Sequence, residues 1–189
     1  KVSALDGLAL KPDGLHPSGI KIKLRARHFV LAGGAINSPA LLLRSRAADP
    51  HGLVGKRTFL HPTVISAGLF ATPVKAYAGA PQSVYSDHFL KQTAIDGPLG
   101  YKLEVAPLHP ILFSTTLQGW GESHARLMRE FANSQVVLAL IRDGFNPASQ
   151  GGQVKLRDDG SPLLDYPLNE TLWEAVRRAL LTMAEIQFA

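Results

Sequence analysis

Residues 27–44 read Arg27-His28-Phe29-Val30-Leu31-Ala32-Gly33-Gly34-Ala35-Ile36-Asn37-Ser38-Pro39-Ala40-Leu41-Leu42-Leu43-Arg44. Phe29 to Ala32 is apolar without alternation, the pattern of a strand covered on both faces. Gly33 and Gly34 permit positive φ and lack the Cβ atoms that keep a ligand off the main chain. Ser38 is placed to cap a helix. Pro39 fits the first helical position, where a missing N–H costs nothing, and Ala40 to Ser45 continue the helix. The expectation is a strand-to-helix joint with free first-turn N–H groups, open to close ligand approach. A turn needed only for packing explains the same residues. No G-x-G-x-x-G occurs, so the pyrophosphate fingerprint is absent.

Working outward, residues 2–10 alternate loosely up to the turn Lys11-Pro12-Asp13-Gly14. Ile20 to Leu24 alternates apolar and charged side chains, so an antiparallel pair with one wet face is expected. Asp49-Pro50-His51-Gly52 closes the helical stretch as a loop. Thr63 to Phe70 and Ile111 to Leu117 read as strands, separated by a region (73–110) of weak periodicity. A helix is expected over 123–133, with Leu127, Met128 and Phe131 on one face, and an apolar strand over 135–142. Val154 to Arg157 and Leu163 to Tyr166 form a hairpin around Asp158-Asp159-Gly160. Thr171-Leu172-Trp173-Glu174 matches a capping box. Leu172, Val176, Ala179, Met183 and Ile186 follow at helical spacing, a core-facing stripe.

The chain has 189 residues, 46% hydrophobic and 19% charged, which describes a soluble globular protein able to bury a sizeable core. Its net charge of +5 is scattered, a solvated surface and not a nucleic-acid or membrane face. The longest apolar run, Val136 to Ile141, is too short for a bilayer, and Lys1-Val2-Ser3-Ala4 carries no leader pattern. Cysteine is absent, which removes disulfides, thiolate catalysis and cysteine metal sites. Both ends look cut, so a piece of a longer protein is expected. The compartment stays open, with the cytoplasm favoured.

Few side chains suggest chemistry on their own. Asp87 and His88 are sequence neighbours and in a strand would face opposite ways. His109 and His124 are isolated, and no spacing fits a metal site. G-x-S-x-G does not occur, which disfavours a hydrolase. Trp120, between Gly119 and Gly121, reads as a loop anchor packed on the core, or as part of an apolar pocket wall.

Gly34 to Ser45 resembles the second signature of the glucose–methanol–choline (GMC) flavin oxidoreductases. Leu53-Val54-Gly55-Lys56-Arg57-Thr58-Phe59-Leu60-His61-Pro62 resembles the segment that follows it in that family. Gly79 to Asp87 is similar to a stretch of its long-chain-alcohol-oxidase-like branch. Gly152 to Leu156 and Asp159 to Pro162 resemble the start of its C-terminal region. These pieces occur in the family's order. Two departures stand out: Arg46, Ala47 and Ala48 replace a Gly–aliphatic–Gly continuation, and Leu60 stands where an acidic residue is usual.

The resemblance implies α/β plus α+β architecture. Residues 1–60 would be part of an FAD-binding Rossmann-like domain. Residues 61–189 would form an antiparallel-sheet substrate domain with helices on one face, incomplete at its C-terminus. It further implies FAD as cofactor, a small-molecule alcohol as substrate and hydride transfer to the flavin. The electron acceptor is left open. Val2, Ala32 and Gly33 match positions that lie along the adenosine side of FAD through backbone contacts. His61 matches a structural residue at the boundary of the flavin domain, although its type would also suit a base. The family's glycine fingerprint and catalytic histidine match nothing in this sequence, so no catalytic residue is assigned. The alternative is a catalytically silent fragment or a non-enzymatic binding remnant.

Overall fold

The computed structural model describes residues 2–80 and 82–189. Lys1, and Pro81 inside the Gly79–Asp87 resemblance, lie outside the described residues. The chain opens with a hairpin, β1 (Leu5–Leu10) and β2 (Pro17–Leu24), as its alternation and turn predict. Asp13 stabilises the turn by accepting from the N–H groups of Leu15 and His16.

The expected buried strand over 29–32 does not form. Residues 28–33 are irregular and Val30 is 89% exposed. A strand exists only through a partner, and none pairs with this segment among the described residues. Every described ladder is antiparallel. The chain then turns at Gly34, with φ of 79°, into α1 (Gly34–Arg44). The helix thus begins a turn earlier than Ser38 and Pro39 predict. Ser38 reaches back instead, its Oγ accepting from the Gly33 N–H at 2.9 Å. Pro39 sits inside the helix and removes the bond to the residue 35 carbonyl.

A four-stranded antiparallel sheet follows, in the order β3 (Thr63–Leu69), β6 (Ser134–Ile141), β5 (Tyr101–Val105), β4 (Tyr85–Ser86). Central β6 pairs Leu140 with Thr63 on one side and Ile141 with Tyr101 on the other. Alternation sorts its side chains: Val137, Ala139 and Ile141 face one way, Val136 and Leu138 the other. The first set meets Leu172, Ala175, Ala179 and Met183 of α4 (Glu170–Phe188) in the main core. Full burial of each large apolar side chain there contributes roughly 1.5–3 kcal/mol. The second set meets Phe113 of α2 (Pro110–Thr116). Helices therefore flank both sheet faces, where one face was expected.

Segment 111–117 is thus helical, not a strand. Pro110 starts it and the hydroxyls of Ser114, Thr115 and Thr116 bond the carbonyls three residues back. The helix expected over 123–133 appears as α3 (Glu122–Arg129) with a 3₁₀ turn over Phe131–Asn133. The second hairpin, β7 (Gln153–Leu156) with β8 (Pro162–Asp165), forms as read. Its broad contacts are with α1. α4 is capped by Asn169, whose side chain accepts from Leu172 N–H at 3.0 Å, so Thr171 is not the cap. No described helix is long and apolar enough to cross a membrane.

Candidate cofactor-binding site

Gly34 is the residue on which the candidate site depends. Its positive φ strains any L side chain, and nothing stands within 4 Å of where a Cβ would lie. Ala32 and Gly33 are exposed beside it, so main chain is open at the head of α1. Val2 is 61% exposed and lies ahead of β1. The fold brings Ala32 and Gly33 to one turn, and Val2 lies in the irregular segment before the hairpin.

The loop after α1 is built to hold the chain against the second hairpin. Asp49 accepts from the N–H groups of Leu53 and Val54 at 2.9 Å each. Those donors, Val54 first, hold its carboxyl below the usual range. Gly55 accepts from Val154 N–H at 2.7 Å, and a Cβ on Gly55 would come within 2.6 Å of the Val154 carbonyl oxygen. Thr58 and Gly152 exchange both backbone bonds, at 3.0 and 2.7 Å. The Arg44 Nη1 donates to the Gly160 carbonyl at 2.9 Å.

A buried polar cluster sits where this unit meets the sheet. Asp143, 8% exposed, accepts from the hydroxyls of Ser149 and Tyr166 and from Gly144 N–H. The Tyr166 oxygen accepts from Leu60 N–H at 3.3 Å. Burial, then the donated bond to Asp143, pushes the Tyr166 phenol up to about 12. Sequence reading missed both residues. The one local signal was Asp143-Gly144 just past the apolar run Val136 to Ile141, and Tyr166 was visible only as the end of a hairpin.

An apolar cavity of about 510 Å³ lies between the outer sheet face and α2, lined by Ile65, Leu112, Phe113, Leu117, Val136 and Leu138. Trp120 takes no part in it and is 89% exposed, so it anchors no core either. His61 is exposed; His124 contacts the Ser114 carbonyl at 2.8 Å and His88 contacts Gln92 at 2.6 Å. Among the described residues no cluster of three or more His, Asp or Glu is placed to hold a metal ion.

Residues 7–63 match the family model for GMC oxidoreductase. The chain is 23% identical over 171 residues to an uncharacterised GMC-type oxidoreductase of Sinorhizobium fredii, covering 90% of this chain and 31% of that protein. It is 34% identical over 127 residues to an uncharacterised GMC-type oxidoreductase of Mycobacterium tuberculosis strain CDC 1551, covering 67% of this chain and 19% of that one. A counterpart in strain H37Rv matches equally. The chain therefore spans less than a third of the length of these relatives. Together the matches support the GMC oxidoreductase family.

Proposed function

From that family, we propose that the chain is part of an FAD-dependent enzyme that oxidises an alcohol by hydride transfer. The observation that carries the reading is the exposed glycine turn at the head of α1, lying inside the family match. Its open main chain fits one flank of a nucleotide-bearing cofactor: Ala32, Gly33 and Gly34 place no side chain beyond a methyl in the way. FAD, when bound, supplies the hydride acceptor. Val2, Ala32 and Gly33 would contact its adenosine side through backbone. No residue of this chain is assigned as the base, a role worth ~10²–10⁴-fold in rate. The division at residue 60 into a cofactor part and a substrate part belongs to the same proposal.

The apolar cavity beside α2 supports an apolar alcohol as substrate, in line with the long-chain-alcohol-oxidase-like resemblance of Gly79 to Asp87. The test uses the full reading frame around this sequence. Purified protein should carry the visible absorption of flavin, and anaerobic addition of an aliphatic alcohol should bleach it. A flanking sequence with neither a G-x-G-x-x-G upstream nor a histidine downstream would overturn the reading. Gly34→Val in that protein should lower retained flavin by about tenfold, because a β-branched side chain resists positive φ and fills the open turn.

A further inference from the structure

Three passages of chain run between two packed units. One unit is α1 with the β7–β8 hairpin; the other is the four-stranded sheet with α4. Broad contacts between elements stay within each unit. Up to Thr58 the first passage is bonded to the hairpin through Gly152; from Pro62, whose carbonyl accepts from Ile141 N–H at 2.9 Å, it is bonded to the sheet. Leu60 stands at the changeover, and its N–H donates to Tyr166. The second passage leaves β6 at Asp143, which takes the Tyr166 hydroxyl, the Ser149 hydroxyl and Gly144 N–H. The third leaves β8 at Tyr166 itself. One phenol oxygen thus touches all three passages.

We propose that Tyr166 and Asp143 form a latch that sets the position of the glycine-turn unit relative to the sheet. Asp143 is nearly buried, so a lost bond there is not freely replaced by water. The other bonds nearby fasten each passage to one unit or join two passages, as where the Asn169 side-chain amide meets the Ala148 carbonyl at 3.2 Å. Among the described residues, only the Tyr166 oxygen gathers all three. For the reaction proposed above these are positioning residues, since the turn is the cofactor flank and the outer sheet face the substrate flank. The positioning role rests on the proposed function; the latch itself rests on geometry.

The chain lacks cysteine, so spin labels can be placed at will. Labels at Ala48→Cys and Glu185→Cys, both exposed positions, report one distance between the units. The latch predicts a narrow distribution by pulsed electron resonance that broadens in Tyr166→Phe and in Asp143→Asn, but not in the surface control Ser83→Ala. Hydrogen exchange at Leu60 should speed by about tenfold in Tyr166→Phe while protection of β6 is kept. An unchanged distribution in both variants would overturn the latch. So would loss of β6 protection together with Leu60, which would make the cluster a stabiliser of the whole fold. Failure of the full-length protein to hold flavin would leave the latch standing.

Discussion

Tyr166 holds its proton beyond the range of an ordinary phenol, at about 12 against 10.0, because burial and the Asp143 carboxylate both disfavour the phenolate. A raised folded value means the stabilisation is complete below the unfolded value and is lost as pH climbs from 10 towards 12. Denaturant unfolding should therefore show the advantage of the natural chain over Tyr166→Phe shrinking across that window, and a constant gap would contradict it. Asp49 works in the opposite direction. Its carboxyl is held low by the Val54 and Leu53 N–H groups, so its contribution is present above the ordinary carboxylate value of 3.8 and fades in acid. None of these partners is apparent from residue order. Leu60, Asp143 and Tyr166 become neighbours only after the hairpin has folded back, which is why a reading by motif could not show that they meet. What was readable at Gly33 and Gly34 is the turn into a helix, because paired glycines ahead of a helical pattern mark a change of backbone direction.

Among the elements, α4 makes the sharpest predictions. Its Asn169 cap satisfies one first-turn N–H, and Asn169→Ala should cost about 1 kcal/mol in urea unfolding. Met183, fully buried against the sheet, should cost about 2–5 kcal/mol as Met183→Ala, through lost burial and the cavity left behind. The apolar β6, the β7–β8 hairpin and the α4 stripe as far as Met183 were readable, since each carries a clear period or turn chemistry, whereas Ile186, expected in that stripe, is 49% exposed. α2 was not. Ile111 to Leu117 holds four β-branched or aromatic residues, Ile111, Phe113, Thr115 and Thr116, that favour strands in general. What decided it was Pro110 at the first helical position and Phe113 finding a site on the sheet. The strand expected over 29–32 failed for a different reason, because its apolar residues describe a need for neighbours that no described segment of the chain supplies. Likewise Thr171 and Glu174 fit a capping box in spacing, yet Asn169 takes the role because the chain turns there first.

For the molecule as a whole, the sheet ends in two open edges, β3 and β4. β3 shows Ile65 at 55% and Leu69 at 56% exposure, an edge able to pair with a second chain. Ile65→Lys should lower concentration-dependent association in sedimentation while leaving the α4 core intact, and unaltered association would show that β3 is not the sticky edge. The interleaving of the two units also bears on how the chain is made. Arg44 on α1 meets the carbonyl of Gly160, 116 residues further on. At ribosomal speeds of roughly 5–20 residues per second, that partner arrives about 6 to 23 s after α1 has emerged. Throughout that interval the apolar side of α1 is uncovered, and a nascent chain stalled before Gly160 should be a client for holding chaperones that a chain released after α4 is not.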